Sequence, residues 1–378
     1  MKTILVLFLF SITLCSQTSR QLSKKAEISI LTCAPGQNEL YSYFGHSAMR
    51  VKDPINNIDR VYNYGMFDFN TPNFYLKFCQ GKLLYQVSSY NFKYFPYTYH
   101  KENRWIKSQT LNLNTLQNQK LFDYLEWNIL PENKKYHYDF FFDNCATKIH
   151  EVIEKSIGDI SFNYTKFPKD FTHRDLIHTY IPKNSWAKFG IDLALGAVID
   201  KKATLKQYMF LPDYVYLGME NSSLNNQKII SKSNYILSNF QLKKPVTNFF
   251  LSPLFVSILI LLITLYFTFI HKNTGWYKAI SITYGLLGIV IFCLWFLTEH
   301  STTKMNMNLL WANPLLIVYP FIKEKSKLLL FKYLLSISLI LFVVIAILQF
   351  QKFDICFYIL ASCLVPIAIK KQIKLTTT

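Results

Sequence analysis

The chain is poor in the residues that build several common sites. It has 11 glycines in 378 residues, and none falls in a G-x-G-x-x-G or G-x-x-x-x-G-K pattern, so the loops that cradle nucleotide phosphates are excluded. Neither H-x-x-x-H nor C-x-x-C occurs, which leaves no metal-ligand spacing and no implied cofactor. Acidic side chains are scarce as well, 23 Asp and Glu against 41 Lys and Arg, for a formal net charge of +18. Such an excess suits an anionic partner. With no nucleic-acid motif in the chain, the charge reads as a surface facing anionic lipid headgroups, plus lysines that fix membrane topology.

What is abundant is apolar and aromatic, and it is unevenly spread. A tyrosine-rich, mixed region runs to about residue 240, and the C-terminal third is almost entirely apolar. Two domains follow, residues 25–240 and 249–370, behind a signal peptide over residues 1–17 in which Lys2 precedes the run ILVLFLFSITL. Cys15 raises the alternative of a lipid anchor, but Leu14 is larger than the residue such processing favours. In the apolar third, 249–270, 280–297, 309–322, 333–350 and 355–369 read as about five membrane segments, two of them short. If the first domain lies outside, nine lysines fall in the inner loops and tail (272, 278, 323, 325, 327, 332, 370, 371, 374) and four on the outer flanks (243, 244, 304, 352). That asymmetry obeys the positive-inside rule and predicts a periplasmic N-terminal domain.

With Cys15, Cys293, Cys356 and Cys363 assigned elsewhere, this domain keeps Cys33, Cys79 and Cys145. An odd number leaves at least one thiol unpaired, and pairing of Cys33 with Cys79 stays open. Cys145 stands out because Phe141–Ile149 reads FFDNCATKI. Asp143 and Asn144 are good N-caps, and Ile149, Val152 and Ile153 continue a helical pattern toward Gly158. A cysteine in the first helical turn meets unsatisfied N–H groups and the positive end of the dipole, which favour a thiolate. The alternative is a small buried residue at a helix start.

Glu27–Cys33 alternates as a strand, Tyr41–Val51 as a second and Arg60–Tyr64 as its return, with a turn at Asp53-Pro54 and Asn56-Asn57. His46 lies in the second strand between Gly45 and Ser47. His150 is five residues past Cys145, about 140° around the helix and so turned away. His100, His137, His173 and His178 have no other chemical signal beside them. By elimination, thiol chemistry with His46 as base is the best single hypothesis. Phe67–Tyr85, FDFNTPNFYLKFCQGKLLY, is aromatic and amphipathic and is expected to pack as core. Leu111–Trp127 is expected to be a helix capped by Asn112 or Asn114.

FGHSAMRV (44–51), VYNYGMFDFNTPNF (61–74), FCQGKLLYQV (78–87), YDFFFDNCATKI (138–149) and EHSTTKMNMNLLWANPL (299–315) together resemble the Lnb-type bacterial lipoprotein N-acyltransferases. The resemblance implies an α+β fold: a permuted papain-like periplasmic domain, histidine preceding cysteine, followed by a multi-helix transmembrane domain in the inner membrane. It implies Cys145 as nucleophile, His46 as base, and a polar orienting residue for which Asn63 is the first choice and Asp68 the second. Asn144, Glu299 and His300 become candidates for substrate contact, with Asn306 beside them. Where relatives often read N-C-T-T-R, this chain has Asn144-Cys145-Ala146-Thr147-Lys148, which replaces an arginine fork with a point charge. The implied donor is a membrane phospholipid and the acceptor a diacylglyceryl lipoprotein. The competing readings are a membrane-anchored thiol peptidase or amidase acting on cell wall, and a non-catalytic tethered binding module.

Overall fold

A computed structural model describes residues 20–37, 39–238, 248–271 and 274–369; the expected signal peptide and Cys15 lie outside them. Nine strands form in the first part: β1 Glu27–Cys33, β2 His46–Asp53, β3 Ile58–Met66, β4 Leu84–Asn91, β5 Ile106–Leu111, β6 Lys135–His137, β7 Ser223–Leu224, β8 Gln227–Lys228 and β9 Ile230–Leu237. Seven of them make one antiparallel sheet in the order β6-β4-β3-β2-β1-β5-β9. Around it lie α1 Phe74–Gln80, α2 Phe95–Lys101, α3 Thr115–Asn128, α4 Cys145–Ile157, α5 His173–His178, α6 Trp186–Ala194 and α7 Pro212–Glu220.

Alternation along the central strands sends side chains to two covered faces. Ile28, Ile30, Met49, Val51, Tyr62 and Tyr64 pack with Leu121, Phe122 and Leu125 of α3, Ile149, Val152 and Ile153 of α4, and Val215 and Met219 of α7. Leu31, Cys33, Ala48 and Val61 on the other face pack with Phe92, Phe95, Tyr99 and Ile106. Each large aliphatic side chain buried this way contributes about 1.5–3 kcal/mol. The thiol helix is thereby fixed on its sheet by its apolar face.

Several expected elements change. Residues 40–44 form a short 3₁₀ turn that ends at Gly45, so β2 begins at His46. Leu111 closes strand β5, and the helix starts at Thr115 behind Asn114, whose side chain accepts from Gln117 N. The expectation of core packing for Phe67–Tyr85 fails over α1 and the loop before it, where Phe69, Tyr75, Leu76 and Phe78 are exposed and no residue of α1 is buried.

The apolar third holds α8 Pro253–Phe269, α9 Thr274–Phe296, α10 Lys325–Ile347, α11 Ile355–Ser362 and α12 Val365–Ile369. Only α9 and α10, 23 residues each, are long and apolar enough to cross a bilayer unaided among the described residues. The third expected segment is not an α-helix: Met307–Leu310 and Pro314–Phe321 are 3₁₀ turns. Pro314 and Pro320 remove N–H donors that an α ladder would need. This segment lies tightly against α9, where a Cβ on Gly288 would stand 2.3 Å from the Ala312 carbonyl oxygen and one on Gly285 2.5 Å from Ile317 Cγ1.

The two parts interlock. Trp186 Nε1 donates to Leu251 O (2.8 Å), Lys188 pairs with Asp354 (2.5 Å), Lys352 with Asp175 (2.7 Å), and Asn306 Nδ2 donates to Leu193 O (2.7 Å). Behind these contacts Arg174 is fully buried between Asp192 (2.7 Å) and Asp200 (2.8 Å). Contacts to the sheet domain therefore come from the start of α8, the end of α9 with the loop after it, and the connection from α10 to α11.

A Gly288→Ala change is expected to destabilise the chain by about 1–3 kcal/mol, because its methyl collides with backbone that cannot retreat. Gly190→Ala, whose Cβ meets nothing within 4 Å, serves as the control and leaves stability unchanged or slightly raised. Thermal unfolding of the detergent-solubilised chain measures both.

Candidate active site

Cys145 opens α4, and its placement is built by Asn144. The Asn144 side chain accepts from Ala146 N (2.8 Å) and Thr147 N (2.9 Å), while Thr147 Oγ1 accepts from Asn144 N (2.8 Å). This is a complete capping box. The amide nitrogen of Asn144 donates to Phe140 O (2.7 Å) and Phe210 O (2.8 Å). The side chain of Asn144, a candidate for substrate contact, is thus buried and engaged at both its oxygen and its nitrogen in holding the start of α4.

The imidazole beside Cys145 comes from the end of the sheet. His46 is paired across from Cys33 at the last rung of β1 and β2. Gly45 before it takes φ +76°, and a Cβ there would stand 2.7 Å from Cys33 O. On the next strand, β3 is bulged between Asn63 and Met66, with Gly65 at φ +81° and its missing Cβ 3.5 Å from both Cys145 Cβ and a Tyr138 ring carbon. Only glycine accepts that backbone without strain. Two glycines thus let the ends of two strands close around the first turn of α4.

Within this corner, His46 Nε2 is 2.5 Å from Asn63 Oδ1. Asn63 Nδ2 donates to Tyr90 Oη (3.2 Å) and Met66 Sδ (3.3 Å), which fixes the amide with its oxygen toward the ring. Nε2 therefore carries the hydrogen, and Nδ1 is the nitrogen open to a proton from sulfur. His46 and Cys145 are close enough that each shifts the other's protonation. Asp68 is exposed and accepts from Asn70 N (2.9 Å), so of the two orienting candidates it is Asn63 that meets the imidazole.

The electrostatics favour charge separation. Burial is the largest influence on Cys145 and would raise its pKa, but the His46 charge and hydrogen bond, with the N–H groups of Ser47 and Ala146, bring it below the ordinary thiol value. Burial likewise opposes the His46 cation, yet the Cys145 charge and the hydrogen bonds to Cys145 and Asn63 raise its pKa above the usual imidazole value. Both shifts run in the direction of a thiolate–imidazolium pair. Cys33, by contrast, is driven by burial up to about 12 and is an inert neighbour. Cys33, Cys79 and Cys145 are all free thiols.

The family model for the Lnb N-terminal periplasmic domain matches residues 17–179, and that for the Lnb transmembrane domain matches residues 245–376. The chain belongs to the Lnb family. No curated protein and no solved structure matches it. As an Lnb-family chain it is a membrane protein with a periplasmic sheet domain followed by a transmembrane domain.

The remaining candidates of this Lnb-family chain make contacts between its two parts. Glu299 N donates to Gln80 O (2.8 Å), Glu299 pairs with Lys82 (3.7 Å), and His300 Nε2 donates to Cys79 O (3.2 Å). Asn306 is buried on the carbonyls of Leu193 and Ala194. These residues join the two domains. One neighbour of theirs was missed by sequence reasoning: Ser301 hydrogen-bonds Asp139, whose other oxygen accepts from Phe141 N (2.9 Å) and Phe142 N (3.1 Å). The loop after α9 therefore props the loop that leads into Cys145. Tyr138 was missed too; it lies in the singled-out stretch before Cys145 and stacks on Tyr85 at 4.3 Å.

Alkylation of Cys145 by iodoacetamide should begin at a lower pH than for an ordinary thiol of pKa about 8.5. In His46→Ala the onset should move up, because burial then acts without the cation. In Asn63→Ala the His46 pKa should fall, since the lost hydrogen bond favours the charged ring; NMR titration of the imidazole checks it.

Proposed function

We propose that the chain is a lipoprotein N-acyltransferase of the bacterial inner membrane, with the sheet domain, residues 25–240, in the periplasm and the helices of 249–370 as its anchor. The observation that carries this reading is the Cys145–His46–Asn63 corner in a domain locked directly onto membrane helices. The order of histidine, asparagine and cysteine, with the thiol on a helix start and the base on an adjoining sheet, supports a permuted papain-like α+β fold.

The reaction has two halves. The Cys145 thiolate attacks an ester carbonyl of a membrane phospholipid; the C–O bond breaks, the imidazolium of His46 protonates the departing alkoxide, and a thioester and a lysophospholipid result. The N-terminal cysteine amine of a diacylglyceryl lipoprotein then attacks the thioester. His46 takes the amine proton, the C–S bond breaks, and the thiolate is restored as the amide forms. Backbone N–H groups at the start of α4, that of Cys145 among them, stabilise the oxyanion of each tetrahedral intermediate. Asn63 keeps Nδ1 turned toward sulfur throughout.

Mass spectrometry of lipoprotein N-termini in cells carrying only this chain tests the reading. The N-acyl group should be present with the native chain, absent with Cys145→Ala, and formed about 10²–10⁴-fold more slowly with His46→Ala. Unchanged N-termini alongside altered cell-wall peptides in Cys145→Ala would replace the transferase with a peptidase or amidase. No change in either would leave a binding module.

A further inference from the structure

The segment between β3 and β4 carries apolar side chains that protein does not cover. Phe69 is 67 % exposed, Tyr75 76 % and Phe78 51 %. Their rings are joined rather than scattered: Phe67 meets Phe69 at 5.0 Å and Phe74 at 5.7 Å, Phe69 meets Phe74 at 4.8 Å, and Phe74 stacks with Phe78 at 6.5 Å. A continuous exposed ridge of this kind marks an interaction surface.

Its place in the molecule identifies what covers it. Gln80, the last residue of α1, accepts a hydrogen bond from Glu299 N, and Glu299 follows the last residue of the spanning helix α9, Phe296, by three positions. Three residues reach at most about 10–11 Å, so α1 stands at the outer boundary of the hydrocarbon layer that α9 crosses. Tyr is enriched at that depth, and Phe is common on the apolar face of segments that lie in the interface. Beside the ridge is a cavity of about 320 Å³ lined by Lys77, Lys82 and Lys135 together with Asp68. Lys82 also pairs with Glu299, so the site keeps a small cationic excess, suited to lipid phosphate.

From the ridge a row of rings leads inward. Phe67 contacts Tyr85 at 5.5 Å, Tyr85 stacks on Tyr138 at 4.3 Å, and Tyr138 and Cys145 flank the bare Cα of Gly65. We infer that residues 67–78 are immersed in the periplasmic leaflet of the bilayer, and that the row Phe69, Phe67, Tyr85, Tyr138 is the path by which a phospholipid acyl ester reaches Cys145. The path rests on the transferase reading above; the immersion does not.

The test uses the full chain in vesicles of phosphatidylethanolamine and phosphatidylglycerol. The emission added by Tyr75→Trp, taken as the difference from the native chain, should be quenched at least twofold by lipid carrying a nitroxide near the headgroup end of its acyl chain, and shielded from aqueous iodide. Quenching by iodide with none from the lipid nitroxide overturns the immersion and leaves the ridge to a protein partner. Phe69→Trp provides the same readout if Tyr75→Trp does not fold. For the path, the double variant Phe69→Asp/Phe78→Asp should take acyl groups from vesicle phospholipid at least tenfold more slowly, with alkylation of Cys145 by iodoacetamide unchanged. An unchanged acylation rate overturns it. If the native chain acquires no acyl group, the transferase reading and the path fall together, while the quenching still decides the immersion.

Discussion

A sulfur anion cannot persist in a largely apolar interior unless a cation and oriented N–H groups stand beside it. That constraint organises the sheet domain. The capping box of Asn144 and Thr147 holds the helix start rigid, the final rung of β1 and β2 delivers His46, and the bulge in β3 brings Asn63 to the far side of the ring. Gly45 and Gly65 allow the close approach. Loss of His46 would remove the largest influence that opposes burial at the thiol and raise its pKa.

The membrane helices do more than tether this corner. Ion pairs from Lys188 to Asp354 and from Lys352 to Asp175, with the buried Arg174 between two aspartates, fix the sheet domain in one pose on the bundle. The Arg174 pairs are buried and the Lys188–Asp354 pair partly so; losing one partner of a buried pair is costly even where the pair adds little net stability, which makes such pairs determinants of geometry. The contact from Ser301 to Asp139 extends the same control to the loop before Cys145. The seating of the sheet domain on the helices and the support of the loop before Cys145 thus belong to one interface.

Much of this was legible in the chain itself. FFDNCATKI carries its own cap and its own helical period, so Cys145 could be placed without a fold, and Gly-His-Ser in an alternating stretch gave the strand of His46. Asn63 was legible only through the family resemblance, because its value comes from pairing between strands. The ridge at 67–78 was misread, since an aromatic amphipathic segment has the same pattern whether protein or lipid covers it. The α-helical form expected of 309–322 was not legible because hydropathy reports burial in lipid and not the hydrogen-bond period, which Pro314 and Pro320 decide here. Glu299 and His300 drew attention as polar groups near a membrane, and the backbone contacts they make to α1 depend on a fold that local pattern does not encode.

The central claim is that Cys145 takes up an acyl group through His46. The most direct measurement is the intact mass of the full chain after incubation with vesicles of a phospholipid bearing a single kind of acyl chain. The account requires a mass increase of one acyl group, released by neutral hydroxylamine, mapped to Cys145 and missing from Cys145→Ala. A chain that stays unmodified, or one acylated at another residue, would contradict it.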